Sequence, residues 1–216
     1  MTVLVLVAAS GLAREVIAVE QPLGRYDEIV LVDDDAARWG TVVDGATVIG
    51  PVEIAAETGD HDIVVCAGSG SARRRLVARL ATMGVSSSRY ARIVHPSVAL
   101  PERCAIGPGS VLLAGVVLTA DVYIHRHVVV MPNVTLTHDD VVGDYATLCA
   151  GVSLGGEVTV GEAAYVGMNS SIRQRVHVGA DSTLGMGAVL LRDLPPGETW
   201  AGVPAANLNA RQEVML

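Results

Sequence analysis

The sequence predicts a small α/β, Rossmann-like domain followed by an all-β parallel β-helix, and three observations carry that reading. First, stepping by six from Leu100 meets sixteen aliphatic residues without a break, ending at Leu190. Second, the position after the aliphatic is often glycine (Gly107, Gly143, Gly155, Gly161, Gly167, Gly179, Gly185), and the fourth position after it is small or β-branched (Ser110, Val116, Val122, Val128, Ala146, Val152). Third, the first ninety residues alternate short apolar runs with glycine-containing turns and helical stretches. A sustained repeat of fixed period is the mark of stacked units, each unable to bury its apolar face alone. Six does not match the 3.6-residue period of a helix, and two-residue alternation would not single out one position in six.

From the N-terminus, Val3 to Val7 is the first buried strand, Ala8 to Gly11 a tight turn, and Leu12 to about Glu20 a helix. The opening run MTVLVLVAASGLA has a short apolar stretch, no basic leader, and Arg14 and Glu15 close behind, so it reads as a strand rather than a signal peptide. Ile29 to Val32 is the second strand, ending at Asp33, Asp34 and Asp35. Ile63 to Ala67 is the third, followed by Gly68, Ser69, Gly70 and an Arg-rich helix from about Ser71 to Met83. The link to the repeat falls near Ser86 to Ile93, which places a nucleotide- or sugar-binding domain at 1–88 and a β-helix with a C-terminal tail at 89–216. Each hexad is a short strand plus a corner: the aliphatic points inward, the small residue fills beside it, and glycine is expected to adopt backbone angles others avoid. Three hexads close one coil of eighteen residues.

Composition narrows the function classes. All 15 basic residues of the 216-residue chain are arginine, which carries no functional signal, and the net charge of −8 argues against a general nucleic-acid binder, which needs a basic face. Cys66, Cys104 and Cys149 are odd in number and widely spaced, so reduced thiols in a cytoplasm are expected, with Cys104 and Cys149 as packing residues. No membrane partner and no metal are expected.

Ligands of such α/β sheets lie beyond the carboxyl ends of the strands, here at Ser10 and Gly11, at Asp33 and Asp34, and at Gly68 and Ser69. Helix-start amides there suit a phosphate, and an aspartate after the second strand suits ribose or sugar hydroxyls. AASGLA has one glycine where the dinucleotide fingerprint has three, which argues against NAD or FAD.

Within the repeat, LTHDDVVGD stands out. Histidine suits proton transfer near neutrality, and the adjacent Asp139 can fix the tautomer of His138. One coil onward lie Gly155 and Gly156, expected about 4.8 Å from His138 with amides open to a ligand. A base beside a free amide donor is the pairing acyl transfer needs. His125 and His127 have no following acid and are expected on a solvated corner. His177, beside Arg173 and Arg175, reads as solvated charge, and His95 as a cap on the β-helix.

These hexads resemble the left-handed β-helix of hexapeptide-repeat acyltransferases. The whole chain resembles the two-domain sugar acyltransferases that include bacterial nucleotide-amino-sugar N-acetyltransferases and sialic acid O-acetyltransferases. VLVAASGLAREV, LVDDD, CAGSGSARRRL, IVHPSVAL, LTHDDVVGDYATLCAGVSLGGEV, VGMNSSI and LGMGAVLLRDLPPGETWAGVPA carry the likeness. The resemblance implies His138 as general base, Asp139 as its orienting acid and the Gly156 amide on the acetyl carbonyl. It implies a homotrimer with acetyl-CoA in a groove between subunits, lined by Thr147, Gly155, Gly156, Met168, Gly185, Met186 and Gly187. It also implies a nucleotide-linked sugar held by Ser10, Gly11, Leu12, Asp33, Asp34, Gly68 and Ser69.

The sequence departs from that family at Leu12 and Thr147, where histidines are common, and at Met131, where asparagine is. The expected activity is N-acetylation of an amino sugar, with no acyl-enzyme and no metal. The competing readings are O-acetylation of a sugar hydroxyl, a non-catalytic trimeric scaffold, and a zinc enzyme of γ-carbonic-anhydrase type fed by His125 and His127.

Overall fold

A computed structural model describes residues 1–208; the expected C-terminal tail beyond them, 209–216, lies outside the described residues. The N-terminal part holds β1 (Val3–Val7), α1 (Gly11–Leu23), β2 (Glu28–Val32), β3 (Val42–Val43), β4 (Ala46–Val48), α2 (Ile54–Glu57), β5 (Asp62–Val65) and α3 (Gly70–Thr82). Sheet order is β3-β4-β2-β1-β5, parallel except for the antiparallel β3–β4 hairpin. β1 is apolar at every position and fully enclosed, because it is covered on both sides. Leu4 and Leu6 face α1, while Val3, Val5 and Val7 face the side of Leu80 and Val85.

α1 starts where Ser10 caps it, accepting from the amides of Leu12 and Ala13, and ends at Gly24 in the left-handed region. It runs three residues past the expected end and takes in Pro22, whose missing amide costs one bond of the last turn, and the Gly24 amide closes the helix on the Glu20 carbonyl. The β3–β4 hairpin and the four-residue α2 had no clear periodic signal in the sequence, being too short to show one.

From Ile93 onward the chain winds as a three-sided prism, the left-handed β-helix of the expected fold class. Strand pairs recur every eighteen residues: Tyr123–Ile124 beside Val141–Val142, Val129–Val130 beside Thr147–Leu148, and Thr135–Leu136 beside Ser153–Leu154. The inward aliphatics from Ile106 to Leu190 are buried. Leu100 is the exception at 50 % exposed: no strand forms there, and Val98 and Cys104 fill the first layer instead.

The corner glycines need a different explanation from the one the sequence suggested. Left-handed angles fall on the third residue of each corner, such as His127, Asp139, Tyr145 and Glu157, and not on the glycines that follow the aliphatics. Those glycines are there for space: a Cβ on Gly155 would come within 2.6 Å of the Gln174 nitrogen in the next coil.

The eight-stranded face of the prism turns its outward residues Ile93, Val111 and Val129 onto the core that also holds α1. α1 is therefore packed between the sheet and the prism. A second tie is Arg73 of α3, fully buried yet without a carboxylate partner among the described residues. Its Nε donates to the His127 carbonyl (2.9 Å), Nη1 to the carbonyls of Ala67 and Gly68, and Nη2 to those of Tyr145 and Ala146 and to Thr147 Oγ1. Burial lowers its pKa to about 10, so it stays charged at neutral pH. No helix among the described residues is long and apolar enough to cross a membrane.

Candidate active site

His138 sits on the corner after the strand Thr135–Leu136, its side chain exposed, with Nδ1 2.8 Å from Asp139 Oδ2. That hydrogen bond raises the pKa of His138 above its ordinary value, with the charges of Asp139, Glu157 and Asp140 adding in the same direction. With Nδ1–H donated to the carboxylate, Nε2 is left as the basic nitrogen. Asp139 has φ 62°, a conformation aspartate tolerates, and this turns its carboxylate back toward the ring.

The imidazole lies directly against Gly156 one coil away: a Cβ there would overlap Nε2 and Cε1 and fall 2.9 Å from Cδ2. The Gly156 carbonyl accepts from Arg175, while its amide donates to no group among the described residues. Gly155 differs from the expectation. Its amide is spent on the Ile172 carbonyl (2.9 Å) because it continues the ladder from the strand before it, so only Gly156 offers a free donor.

A separate cleft of about 730 Å³ opens between the start of α1 and the eight-stranded face. Gly11, Leu12 and Gly68 line it from the α/β part, and Met131, Thr147 and Cys149 from the prism. It lies past the carboxyl ends of β1 and β5, where successive connections leave in opposite directions, the usual ligand crevice of such sheets. Burial lifts the pKa of Glu15 on its wall. Thr147 Oγ1 accepts from Arg73, so this residue, which stands where the resemblance implied a histidine, is tied into the hydrogen bonds between the α/β part and the prism. Cys149 is a lining residue as well as a buried one.

The other expected ligand-binding side chains have internal partners. Ser10 Oγ caps α1 and donates to the Cys66 carbonyl; Ser69 caps α3. Asp33 accepts from the amides of Ala9 (2.7 Å) and Asp35 (2.9 Å) and so holds the β1–α1 turn, in which Ala8 has φ 80°. Asp34 pairs with Arg79 and does not line the cleft.

Met168 and Met186, both exposed, stand one coil apart with Gly185 and Gly187 on the edge that follows the eight-stranded face. His138 and Gly156 occupy the next edge around the prism. Within one chain the expected cofactor residues are therefore divided: Thr147 lines the cleft, Gly155 and Gly156 share the edge of the base, and Met168, Gly185, Met186 and Gly187 lie on the edge between.

His127 is not on a solvated corner. It is 3 % exposed, stacked on Tyr145 (centroids 5.2 Å apart, 2° between planes) and met edge-on by Tyr90. Burial lowers its pKa to about 4, and it is neutral at pH 7. His125 stays exposed, 4.0 Å from Asp144. Asp140 is the feature sequence reading missed. It is a fully buried carboxylate at a hexad slot otherwise given to small or apolar residues, and that break in the pattern was visible in the sequence.

A family model described as the PglD N-terminal domain matches residues 3–80. The chain is similar over nearly its whole length to the acetyltransferase domain of PglB from Neisseria gonorrhoeae. The two are 31% identical with a TM-score of 0.87, covering 96% of this chain and 100% of that one. The same domain in complex with acetyl coenzyme A matches at 31% identity and TM-score 0.87, covering 95% and 98%. PerB from Caulobacter crescentus, in complex with CoA and GDP-perosamine, is 28% identical with a TM-score of 0.85, covering 96% and 97%. No curated protein matches the chain by sequence.

Proposed function

The chain belongs to the sugar N-acetyltransferase family and is an acetyl-CoA-dependent acyltransferase, and from that premise we propose that it acetylates the amino group of a nucleotide-linked sugar. His138 Nε2 removes a proton from the amine nitrogen as that nitrogen attacks the thioester carbonyl. Asp139 holds the ring and favours the imidazolium that forms. The Gly156 amide receives the carbonyl oxygen as it becomes an oxyanion. The C–S bond then breaks as the amide C–N bond is completed, and coenzyme A leaves as the thiol, its proton returned from His138. Neither an acyl-enzyme nor a metal takes part.

The observation that carries this reading is the His138 ring, held by Asp139 at 2.8 Å and laid against the one corner residue whose lack of a Cβ leaves room for it. The complexes of the similar proteins, one with acetyl coenzyme A and one with CoA and GDP-perosamine, support the choice of both substrates. The cleft past β1 and β5 receives the nucleotide-sugar, with Gly11, Leu12 and Gly68 at its wall. Acetyl-CoA runs along the edge of Met168, Gly185, Met186 and Gly187, past Thr147 on the adjoining face, toward Gly155 and Gly156. Since Met168, Gly185, Met186 and Gly187 occupy a different edge of the prism from His138, Gly155 and Gly156, a homotrimer is the assembly that joins them: the base edge of one subunit faces the cleft and cofactor edge of the next. The enzyme is placed in the cytoplasm.

The test is thiol release from acetyl-CoA against UDP-, dTDP- and GDP-linked amino sugars, GDP-perosamine among them, with sialic acid as the hydroxyl control. Release that depends on an amino sugar is expected. Release with sialic acid alone moves the assignment to O-acetylation, and none with any acceptor overturns it.

A further inference from the structure

At the fourth position after each inward aliphatic the prism carries Ser110, Val116, Val122, Val128, Val134, Ala146, Val152 and so on, and Asp140 is the one carboxylate in the series. It is fully buried. Its Oδ2 accepts from the Thr137 amide at 2.7 Å and its Oδ1 from the Val158 amide at 2.9 Å. The second of these bonds has a counterpart in the fold, because Ser110 Oγ accepts the Val128 amide in the same way at 3.0 Å. The first has none.

On the other corners, the residue after the aliphatic gives its amide to the carbonyl one coil on: Met131 to Leu148, Gly143 to Val160, Gly155 to Ile172. At Thr137 that bond is missing. The amide is turned to Asp140, the Leu154 carbonyl is met instead by Thr137 Oγ1 at 3.1 Å, and the ladder keeps only the Thr135–Ser153 pair. Among the corners from Gly107 to Gly185 this is the one place where the ladder opens, and it is the residue immediately before His138. The other end of the carboxylate holds Val158, two residues after Gly156.

Enclosing a carboxylate without a cation is costly, and apolar residues in such places are commonly as stable or more so. Here desolvation lifts the Asp140 pKa to about 6 despite its two amide donors. Val or Ala at this slot would fit the prism as at the neighbouring corners, so stability of the coil does not account for it.

We propose that Asp140 is a positioning residue: its buried carboxylate ties the corner that carries His138 to the corner that carries Gly156, fixing the distance between base and amide donor. This rests on the reading of His138 and Gly156 given above. Asp140 touches neither substrate; it acts through the backbone of Thr137 and Val158.

The test compares Asp140→Val and Asp140→Ser, each in the wild-type and in the His138→Ala background, for kcat, acetyl-CoA KM and thermal midpoint, using the amino sugar that supports turnover. Val restores the ordinary slot, and Ser keeps the link to Val158 as Ser110 does to Val128, so at least one variant folds. With Asp140→Val the expected result is an undiminished midpoint, unchanged acetyl-CoA KM and a kcat lower by roughly 10- to 100-fold, the range a base misplaced by up to 1 Å would give. Asp140→Ser falls less. In His138→Ala neither substitution lowers the residual rate further, because the clamp has no base left to place. Wild-type kcat in both variants, or an equal further loss in the His138→Ala background, overturns the clamp alone. Wild-type activity in His138→Ala itself overturns the base assignment, and the clamp with it.

Discussion

Replacing Gly156 by alanine should leave a folded enzyme that has lost most of its turnover. Gly156 has no positive φ, so alanine fits its backbone, and the atoms nearest the added methyl are all in the ring of His138. That methyl would overlap Nε2 and Cε1 and approach Cδ2 to 2.9 Å, against an ordinary contact of 3.4 Å or more. The ring must therefore retreat by about 1 Å, and the Nδ1 bond to Asp139 cannot follow without turning the side chain. A misplacement of about 1 Å in a catalytic group costs on the order of 100-fold in rate. Exchanging glycine for alanine at a compatible position gains about 0.4–1 kcal/mol by restricting the unfolded chain. The free amide is retained. Thermal denaturation and steady-state thiol release, measured on the same preparation, separate the two effects: kcat falls about 100-fold while the midpoint holds or rises. A folded Gly156→Ala enzyme with wild-type kcat would refute the placement of the base against this residue.

Three further outcomes follow from the same geometry. Asp139→Asn keeps the left-handed backbone but removes the charge that holds the His138 pKa up, so the acid limb of the kcat/KM profile moves to lower pH; an unmoved limb would show that His138 is not the titrating base. His127 and Asp140 oppose one another in acid. His127, depressed from 6.5 to about 4, gives stability that is lost as pH falls through that range, whereas Asp140, raised from 3.8 to about 6, gives stability that is lost as pH rises through its own. Each is worth roughly 3 kcal/mol, so denaturant titrations of Asp140→Val should show a steeper loss between pH 6.5 and pH 4 than wild type, and parallel curves would contradict the assignment. Arg73→Met strips donors from five carbonyls and the Thr147 hydroxyl and should cost about 3 kcal/mol or more in urea unfolding; a loss below about 1 kcal/mol would mean those acceptors find water.

The prism was legible because its core has one rule applied sixteen times, and burial enforces it from Ile106 to Leu190. Leu100 obeys the rule in sequence but not in space, since nothing below the first coil pairs with it. The strands β1, β2 and β5 and helix α1 were legible as buried apolar runs, and α3, which buries only Gly70, Arg73 and Leu80, by the glycine-serine turn and capping Ser69 that precede it. The stacking of His138 on Gly156 followed from the eighteen-residue coil alone. What could not be read was set by tertiary partners. Asp33 and Asp34 look like free acceptors in sequence, but the first holds Ala9 and Asp35 and the second pairs with Arg79. His127 looks like a corner histidine until Tyr90 and Tyr145 enclose it. Arg73 looks like one more exposed arginine of a charged helix, and only the approach of the prism at Gly70 buries it.

The account stands most directly on the turnover of His138→Ala with acetyl-CoA and the amino sugar that the wild-type enzyme accepts, followed as N-acetylated product and as released thiol. The predicted result is a kcat lower by about 10²- to 10⁴-fold, the usual worth of a general base, with the assembly and acetyl-CoA binding intact. A variant that assembles, binds acetyl-CoA and turns over at near the wild-type rate would contradict it.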